Sequence, residues 1–328
     1  MSPPSILVTG GGGYIGSHTC KALAAEGFTP LVLDNFAVGH RDDVRWGPCI
    51  EGDILDTATV ANAIKANDAK AVIHFAAFAY VGESVLEPAK YYRNNVAGTL
   101  SLLDACRSEG VDKFVFSSSC ATYGIPDTLP IAETTPQRPI NPYGRTKLIV
   151  EQVLADYANA YGSRYAALRY FNAAGADPDG ELGERHDPET HLVPLAILAA
   201  AGSTEKLEVF GDDYDTPDGT CIRDYVHVTD LARAHVLALR HLLGGGDSLA
   251  VNLGSGNGTS IREVIAAVER VTGRKVPHVM RPRRQGDPPA LYADPHLAKE
   301  RLSFVTELSD IDTIVRTAAA SFGLEVSR

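Results

Sequence analysis

Ser5-Ile6-Leu7-Val8-Thr9-Gly10-Gly11-Gly12-Gly13-Tyr14-Ile15-Gly16 is the stretch that decides the fold. Ser5–Thr9 reads as a short buried strand. It ends in glycines at 10, 13 and 16, and an amphipathic helix over Tyr14–Glu26 follows. Glycine lets the chain turn tightly and lets a phosphate approach the backbone. The helix behind it points its free amides and positive dipole end at the same place. The next strand, Leu31–Asp34, ends in an acid. A carboxylate there accepts hydrogen bonds from ribose hydroxyls and repels a 2′-phosphate, so NAD is expected rather than NADP. Asp53-Ile54 stands where an adenine ring is met; an ordinary strand-end turn is the alternative.

Outward from this unit, strands and helices alternate. Strand Ala71–Phe75, helix Pro88–Glu109, strand Lys113–Ser117, a helix from Pro142 to about Tyr161 and strand Tyr165–Tyr170 continue the pattern. Such alternation predicts an α/β fold: a doubly wound parallel sheet of Rossmann type with helices on both faces. Past Asn172 the alternation loosens and Pro, Gly and Asp become frequent. The expected organisation is an NAD-binding domain over 1–172 and a smaller mixed α/β substrate domain over 173–328. The segment near 221–246 is a candidate to return to the first.

The bulk numbers narrow the class. The 328 residues suffice for about two domains. A formal charge of −11 makes a polyanion a poor partner, so nucleic acid is excluded as the main ligand. Arg281, Arg283 and Arg284 remain a local candidate for one phosphorylated ligand. The cysteines at 20, 49, 106, 120 and 221 are scattered without a C-x-x-C pair. They argue against a disulfide framework and a zinc site, and fit a reducing, cytoplasmic setting. No metal is expected. Met1-Ser2-Pro3-Pro4 lacks the basic region of a signal peptide. The longest apolar run, Leu192–Ala201, contains Pro194 and is half the length of a membrane span of about 20 residues.

The chemistry gathers in two segments. Asn141-Pro142-Tyr143-Gly144-Arg145-Thr146-Lys147 opens a helix, with Asn141 as N-cap and Pro142 in the first turn. Tyr143 and Lys147 then share a face. A free tyrosine titrates near pH 10. Lys147, the helix N-terminus and an oxidised nicotinamide ring are three positive influences that can lower that value. Upstream, Ser117-Ser118-Ser119-Cys120-Ala121-Thr122-Tyr123-Gly124 follows a strand at the sheet edge where ligands bind in open α/β folds. Ser119 is placed to hydrogen-bond the substrate oxygen that Tyr143 addresses, and Ser117 reads as a strand-end cap.

These segments resemble the UDP-glucose 4-epimerases of the extended short-chain dehydrogenase/reductase family. So do Asp34-Asn35, Phe75-Ala76-Ala77, Val81-Gly82-Glu83-Ser84, Asn94-Asn95, Arg169-Tyr170-Phe171-Asn172, Arg223-Asp224-Tyr225-Val226-His227-Val228 and Arg284-Gln285-Gly286-Asp287. The resemblance runs along nearly the whole chain. It implies interconversion of UDP-glucose and UDP-galactose: Tyr143 takes the proton of the C4 hydroxyl, hydride passes to NAD, the 4-keto sugar turns, and hydride returns to its other face. It implies that Ser119 orients the hydroxyl and that Lys147 binds the nicotinamide ribose. Further cofactor contacts are implied at Gly10, Gly13, Tyr14, Ile15, Gly16, Asp34, Asn35, Asp53, Ile54, Phe75, Ala76, Ala77, Asn94, Ser117 and Tyr170. Diphosphate contacts are implied at Asn172, Arg223 and Arg284, a nucleoside-ribose contact at Asp287, uracil packing at Phe210, and further substrate contacts at Leu192 and Leu291. For Arg223 the alternative is an interdomain salt bridge. A homodimer is the expected assembly.

The chain departs from many relatives at Ala79, where a lysine stands near the cofactor, and at His191, where an asparagine stands. His191 reads as structural rather than catalytic. Leu291 falls at a wall of the sugar pocket that is Tyr in some relatives and small in others. Nucleotide-sugar dehydratases place Asp-Glu after the catalytic Ser or Thr, where this chain has Cys120-Ala121. Ordinary oxidoreduction with NAD released and a non-catalytic dinucleotide sensor are further rivals; the sensor is disfavoured because both Tyr143 and Lys147 are kept. A UDP-pentose, UDP-N-acetylhexosamine or UDP-uronic acid remains open as substrate.

Overall fold

The structure, a computed structural model, describes residues 3–284 and 287–326. The seven-stranded sheet runs in the order Leu249–Leu253, Arg164–Tyr170, Lys113–Ser119, Ala71–His74, Ser5–Thr9, Thr29–Asp34, Cys49–Glu51. Each neighbouring pair is parallel. Ile6, Leu7 and Val8 are fully buried because helices cover both faces, which is why the strand reads as a continuous apolar run. One face packs Val8, Ile73, Val115 and Leu168 against Leu231, Leu239 and Leu242; the other packs Leu7, Val72, Phe114 and Phe116 against Val60, Leu102, Val150 and Leu154. Among the described residues no helix is long and apolar enough to cross a membrane.

The helix expected over Pro88–Glu109 is not continuous. Pro88–Tyr91 is α-helical, Tyr92–Ala97 winds as a π-helix, and Gly98–Ser108 is α-helical again. The wider turn is held by Asn95, whose side chain accepts from Phe78 N and donates to Phe78 O at 2.9 and 3.0 Å. That long-range pairing, not local propensity, sets the winding.

After Asn172 a second body forms around Val193, Ile197, Val264, Val268, Ile314 and Val315, contributed by helices Leu192–Ala201, Ile261–Thr272 and Ile311–Ser321. The chain also returns to the large sheet. Helix Val228–Leu243 packs on helix Tyr14–Ala25, and Leu249–Leu253 pairs with Arg164–Tyr170 at the sheet edge. The return therefore runs several residues past the 246 read from sequence.

Candidate functional site

The glycine turn is built for close approach. Gly10 has φ +73°, and a Cβ there would meet Ala76 N at 2.6 Å. A Cβ on Gly16 would lie 2.2 Å from the Gly10 carbonyl, so the helix can pack onto the turn only without side chains. Gly13 is the N-cap with no side-chain cap, and the first turn carries no acid. The amides of Tyr14, Ile15 and Gly16 consequently have neither an intrahelical nor a side-chain acceptor, which suits a diphosphate. The Tyr14 hydroxyl donates to Gly175 O at 2.5 Å, and Ile15 packs into the core. Asp34 accepts from Gly12 N at 2.9 Å and Phe36 N at 2.8 Å. Each oxygen keeps a second lone pair that a ribose hydroxyl can use. Asn35 donates to Asp53 at 3.0 Å, and Ile54 is buried against Gly98. Phe75-Ala76-Ala77 leaves the sheet across the end of Ser5–Thr9, with Phe75 N and Ala76 N both on Thr9 O. Asn94 donates to Asn95 at 2.9 Å. These residues line one rim of the sheet and fit a dinucleotide.

Tyr143, Lys147 and Ser119 meet beside this rim. Asn141 Oδ1 accepts from Gly144 N at 2.8 Å and caps the helix Pro142–Tyr161. Gly144 lets that helix dock closely: a Cβ would stand 2.4 Å from the Ala121 carbonyl. The docking sets Tyr143 next to Ser119 at the end of Lys113–Ser119. Lys147 Nζ donates to Ser117 O at 2.7 Å and lies 5.8 Å from the Tyr143 ring centroid. Ser117 Oγ and the Tyr170 hydroxyl share a 2.5 Å hydrogen bond.

The electrostatics differ from the sequence expectation. Burial pushes the Lys147 ammonium down to about 7. Burial, with Tyr170 adding to it, pushes the Tyr143 phenol above its ordinary value, and a hydrogen bond from Ser119 opposes the rise. Lys147 was expected to draw the phenol down. Desolvation outweighs it because the lysine's hydrogen bond runs to Ser117 O rather than to the phenol.

Behind the site lies a network that sequence reading missed. Glu151, four residues past Lys147, accepts from Arg169 Nη2 at 2.6 Å and from Ser118 Oγ at 2.5 Å. Arg169 Nη1 donates to the Tyr123 hydroxyl at 2.8 Å, which donates to Asn252 Oδ1 at 2.7 Å. Sheet register brings these together, since Ser118 faces Arg169 across the ladder.

Most of the substrate candidates gather in the second body. Asn172 donates to Asp224 O at 3.1 Å, and with Leu192 and Tyr225 it lines a small cavity. Arg223 and Asp287, expected on diphosphate and ribose, pair with each other at 2.5 Å. Arg223 also donates to Ile222 O; since Asp287 belongs to the same second body, this pair is not the interdomain salt bridge named as the alternative. Arg284 stacks 3.9 Å over the Phe210 ring, while Arg281 and Arg283 pair with Glu208 and Asp213. Gln285 and Gly286 of the same motif lie outside the described residues. Leu291 packs against the cluster of Tyr123, Ile131, Phe171 and Ala293, as does Cys120, the residue that follows Ser119. Asp224 joins the segments around these candidates by accepting from the Ser255, Gly256 and Ala293 amides at 2.8, 3.2 and 3.1 Å.

Residues 6–254 match the NAD dependent epimerase/dehydratase family. The chain is 54% identical over 319 residues to a UDP-glucose 4-epimerase of Rhizobium leguminosarum bv. trifolii, covering 97% of each chain. Its fold superposes on the crystal structure of UDP-glucose 4-epimerase from Brucella ovis in complex with NAD with a TM-score of 0.97. That pair is 66% identical and covers 99% of this chain and 100% of the other. A UDP-glucose 4-epimerase from Stenotrophomonas maltophila, solved with NAD and formylated UDP-arabinopyranose, gives a TM-score of 0.94 at 40% identity, covering 97% of each.

Proposed function

The chain belongs to the NAD dependent epimerase/dehydratase family, and on that premise we propose that it interconverts UDP-glucose and UDP-galactose by inverting sugar carbon 4. The observation that carries this reading is the assembly of Tyr143, Ser119 and Lys147 beside the glycine turn. NAD, held along the glycine-turn rim, would supply the redox chemistry at carbon 4 as hydride acceptor and donor. The phenolate of Tyr143 takes the C4 hydroxyl proton and later gives it back, and Ser119 holds that oxygen in line. Lys147, buried at the same rim, is assigned to the nicotinamide ribose. Gly10, Gly13, Tyr14, Ile15 and Gly16 are assigned to the diphosphate of the cofactor and Asp34 to its ribose. Asn35, Asp53, Ile54, Phe75, Ala76, Ala77, Asn94, Ser117 and Tyr170 complete that wall. Asn172, Arg223 and Arg284 are assigned to the substrate diphosphate, Asp287 to its ribose, Phe210 to uracil, and Leu192 and Leu291 to the rest of the pocket. Arg223 has donors to spare beyond its bond to Asp287. Cys120-Ala121 beside Ser119 leaves no acid–base pair for dehydration. Residues 1–172 together with the return 228–253 are proposed as the NAD-binding unit.

Because the net reaction is redox-neutral, the purified protein retains its cofactor. Incubation with UDP-glucose and no added NAD yields UDP-galactose, and acid-denatured protein releases NAD or NADH near one per chain. A strict need for added, consumed cofactor would overturn the reading.

Leu291 sets the breadth of substrates. It packs on the same apolar cluster as Cys120, the residue after Ser119, and is assigned to the wall of the turning sugar, where volume limits which substituents pass. Leu291→Ser is expected to raise the rate on UDP-N-acetylglucosamine relative to UDP-glucose by about tenfold, the scale of one or two methylenes in an apolar pocket. An unchanged ratio removes Leu291 from the wall.

We propose a homodimer as well. Leu100 and Tyr161 are exposed on the adjacent helices Gly98–Ser108 and Pro142–Tyr161, beside a groove lined by Leu103, Leu154 and Tyr157. Light scattering then reports twice the chain mass, and an Arg at Leu100 returns the monomer.

A further inference from the structure

Between Asn172–Ala174 and helix Leu192–Ala201 the chain gathers Glu184, His186, Glu189 and His191. One ligating atom from each of the four lies within 4.8 Å of the others. His191 Nδ1 is 2.8 Å from Glu184 Oε1 and 3.0 Å from Glu189 Oε1. His186 Nδ1 is 3.1 Å from Glu184 Oε1 and 3.7 Å from Glu189 Oε2. Bonds of about 2.0–2.2 Å from a tetrahedral ion place its ligands about 3.3 Å apart, in the middle of these separations.

Hydrogen bonding accounts for only part of the cluster: Glu189 Oε1 is paired with His191 Nδ1 at 3.0 Å and accepts from Thr190 N and His191 N at 2.7 and 2.8 Å. Glu184 is buried, with only 4% of its side chain exposed. Its Oε1 sits close to two imidazole nitrogens and hydrogen-bonds to neither, and His186 Nδ1 is buried without a partner as well. Buried polar atoms are rarely left so. Close by, Asp177, Asp179 and Glu181 make an acidic group of similar span, but Lys21 Nζ already fills it at 2.8, 2.7 and 2.6 Å.

We propose that Glu184, His186, Glu189 and His191 bind a divalent transition-metal ion of the zinc class. Two imidazoles and two carboxylates suit that class, and imidazole disfavours magnesium and calcium. Two carboxylates also balance the dication's charge. The ion fastens the 184–191 segment over the glycine-turn helix. His186 packs edge-on against Tyr14 and Tyr80, and Arg185 between the ligands pairs with Asp42 and Asp43 and accepts from His40 at its carbonyl. The site is structural, since its four ligands close the coordination sphere. Cysteine spacing gave no hint of it, because none of the ligands is a thiolate.

The test uses the whole purified enzyme, treated with a chelator, desalted and titrated with zinc against a chromophoric competitor, with magnesium in parallel. The same titration on Cys49→Ser removes the exposed thiol as a ligand. About one zinc per chain is expected in both, with no competition from millimolar magnesium. His191→Ala, at a half-exposed position, is expected to weaken binding by at least about 10–100-fold, the usual cost of losing even an outer-shell partner. His186→Ala does the same. Zinc raises the unfolding temperature of the wild type and leaves that of the double variant unchanged. No stoichiometric zinc, or equal affinity in wild type and variants with native circular dichroism, overturns the proposal and leaves an adventitious ion only.

Discussion

Tyr143→Phe is expected to lower kcat by at least about 100-fold, the lower end of what a positioned acid–base group contributes. The ring stays, so its packing against Lys147 and the docking of Gly144 on Ala121 are kept. Only the ionisable oxygen is lost, so NAD released on denaturation remains at the wild-type level. Turnover within a few fold of wild type would remove Tyr143 from the chemistry. Burial drives the phenol up and the ammonium down. The phenolate is favoured by any cation nearby. Lys147→Ala removes one, so the acid limb of the kcat profile moves to higher pH.

Glu151→Ala is expected to cost about 3–5 kcal/mol of stability, because it leaves the buried Arg169 guanidinium uncompensated. Both side chains of the pair are more than nine-tenths buried. The measurement is the shift in denaturant midpoint, with NAD content held equal. Glu151→Leu with Arg169→Met removes both charges, and much of the loss is then recovered. A single-variant cost below about 1 kcal/mol would show that water reaches the pair and screens it.

What the sequence displays is what is local. The glycine turn, the Asn141 cap and the Tyr143–Lys147 spacing each lie within a handful of residues, and the structure places them together at one rim. The Glu151–Arg169–Tyr123–Asn252 chain joins four elements through sheet register and has no spacing to read. The π-turn at Tyr92–Ala97 depends on Asn95 holding Phe78, a contact no propensity encodes. Arg223 and Asp287 are 64 positions apart, and their mutual pairing appears only in three dimensions. The Glu184–His191 group is different. Its members are neighbours in sequence, but His191 taken alone reads as a structural side chain, and only the convergence of four ligating atoms gives it another meaning. Beyond Asn172 the helix Val228–Leu243 follows the Arg223–Val228 motif, and its packing on the first sheet comes from its apolar face together with the Arg240–Glu26 ion pair, which spacing does not show.

That return has a cost in time during synthesis. The strand Arg164–Tyr170 acquires its edge partner only when Leu249–Leu253 has emerged, after all of residues 171–248. At about 5–20 residues per second the ribosome needs on the order of 4–16 s for that stretch. Through this interval the nascent sheet has an open parallel edge, and the apolar surface that Leu231, Leu239 and Leu242 will cover is bare. A chain released early is thus not a smaller working nucleotide binder but a sticky fragment, the kind of species that chaperones must hold until the last strand arrives.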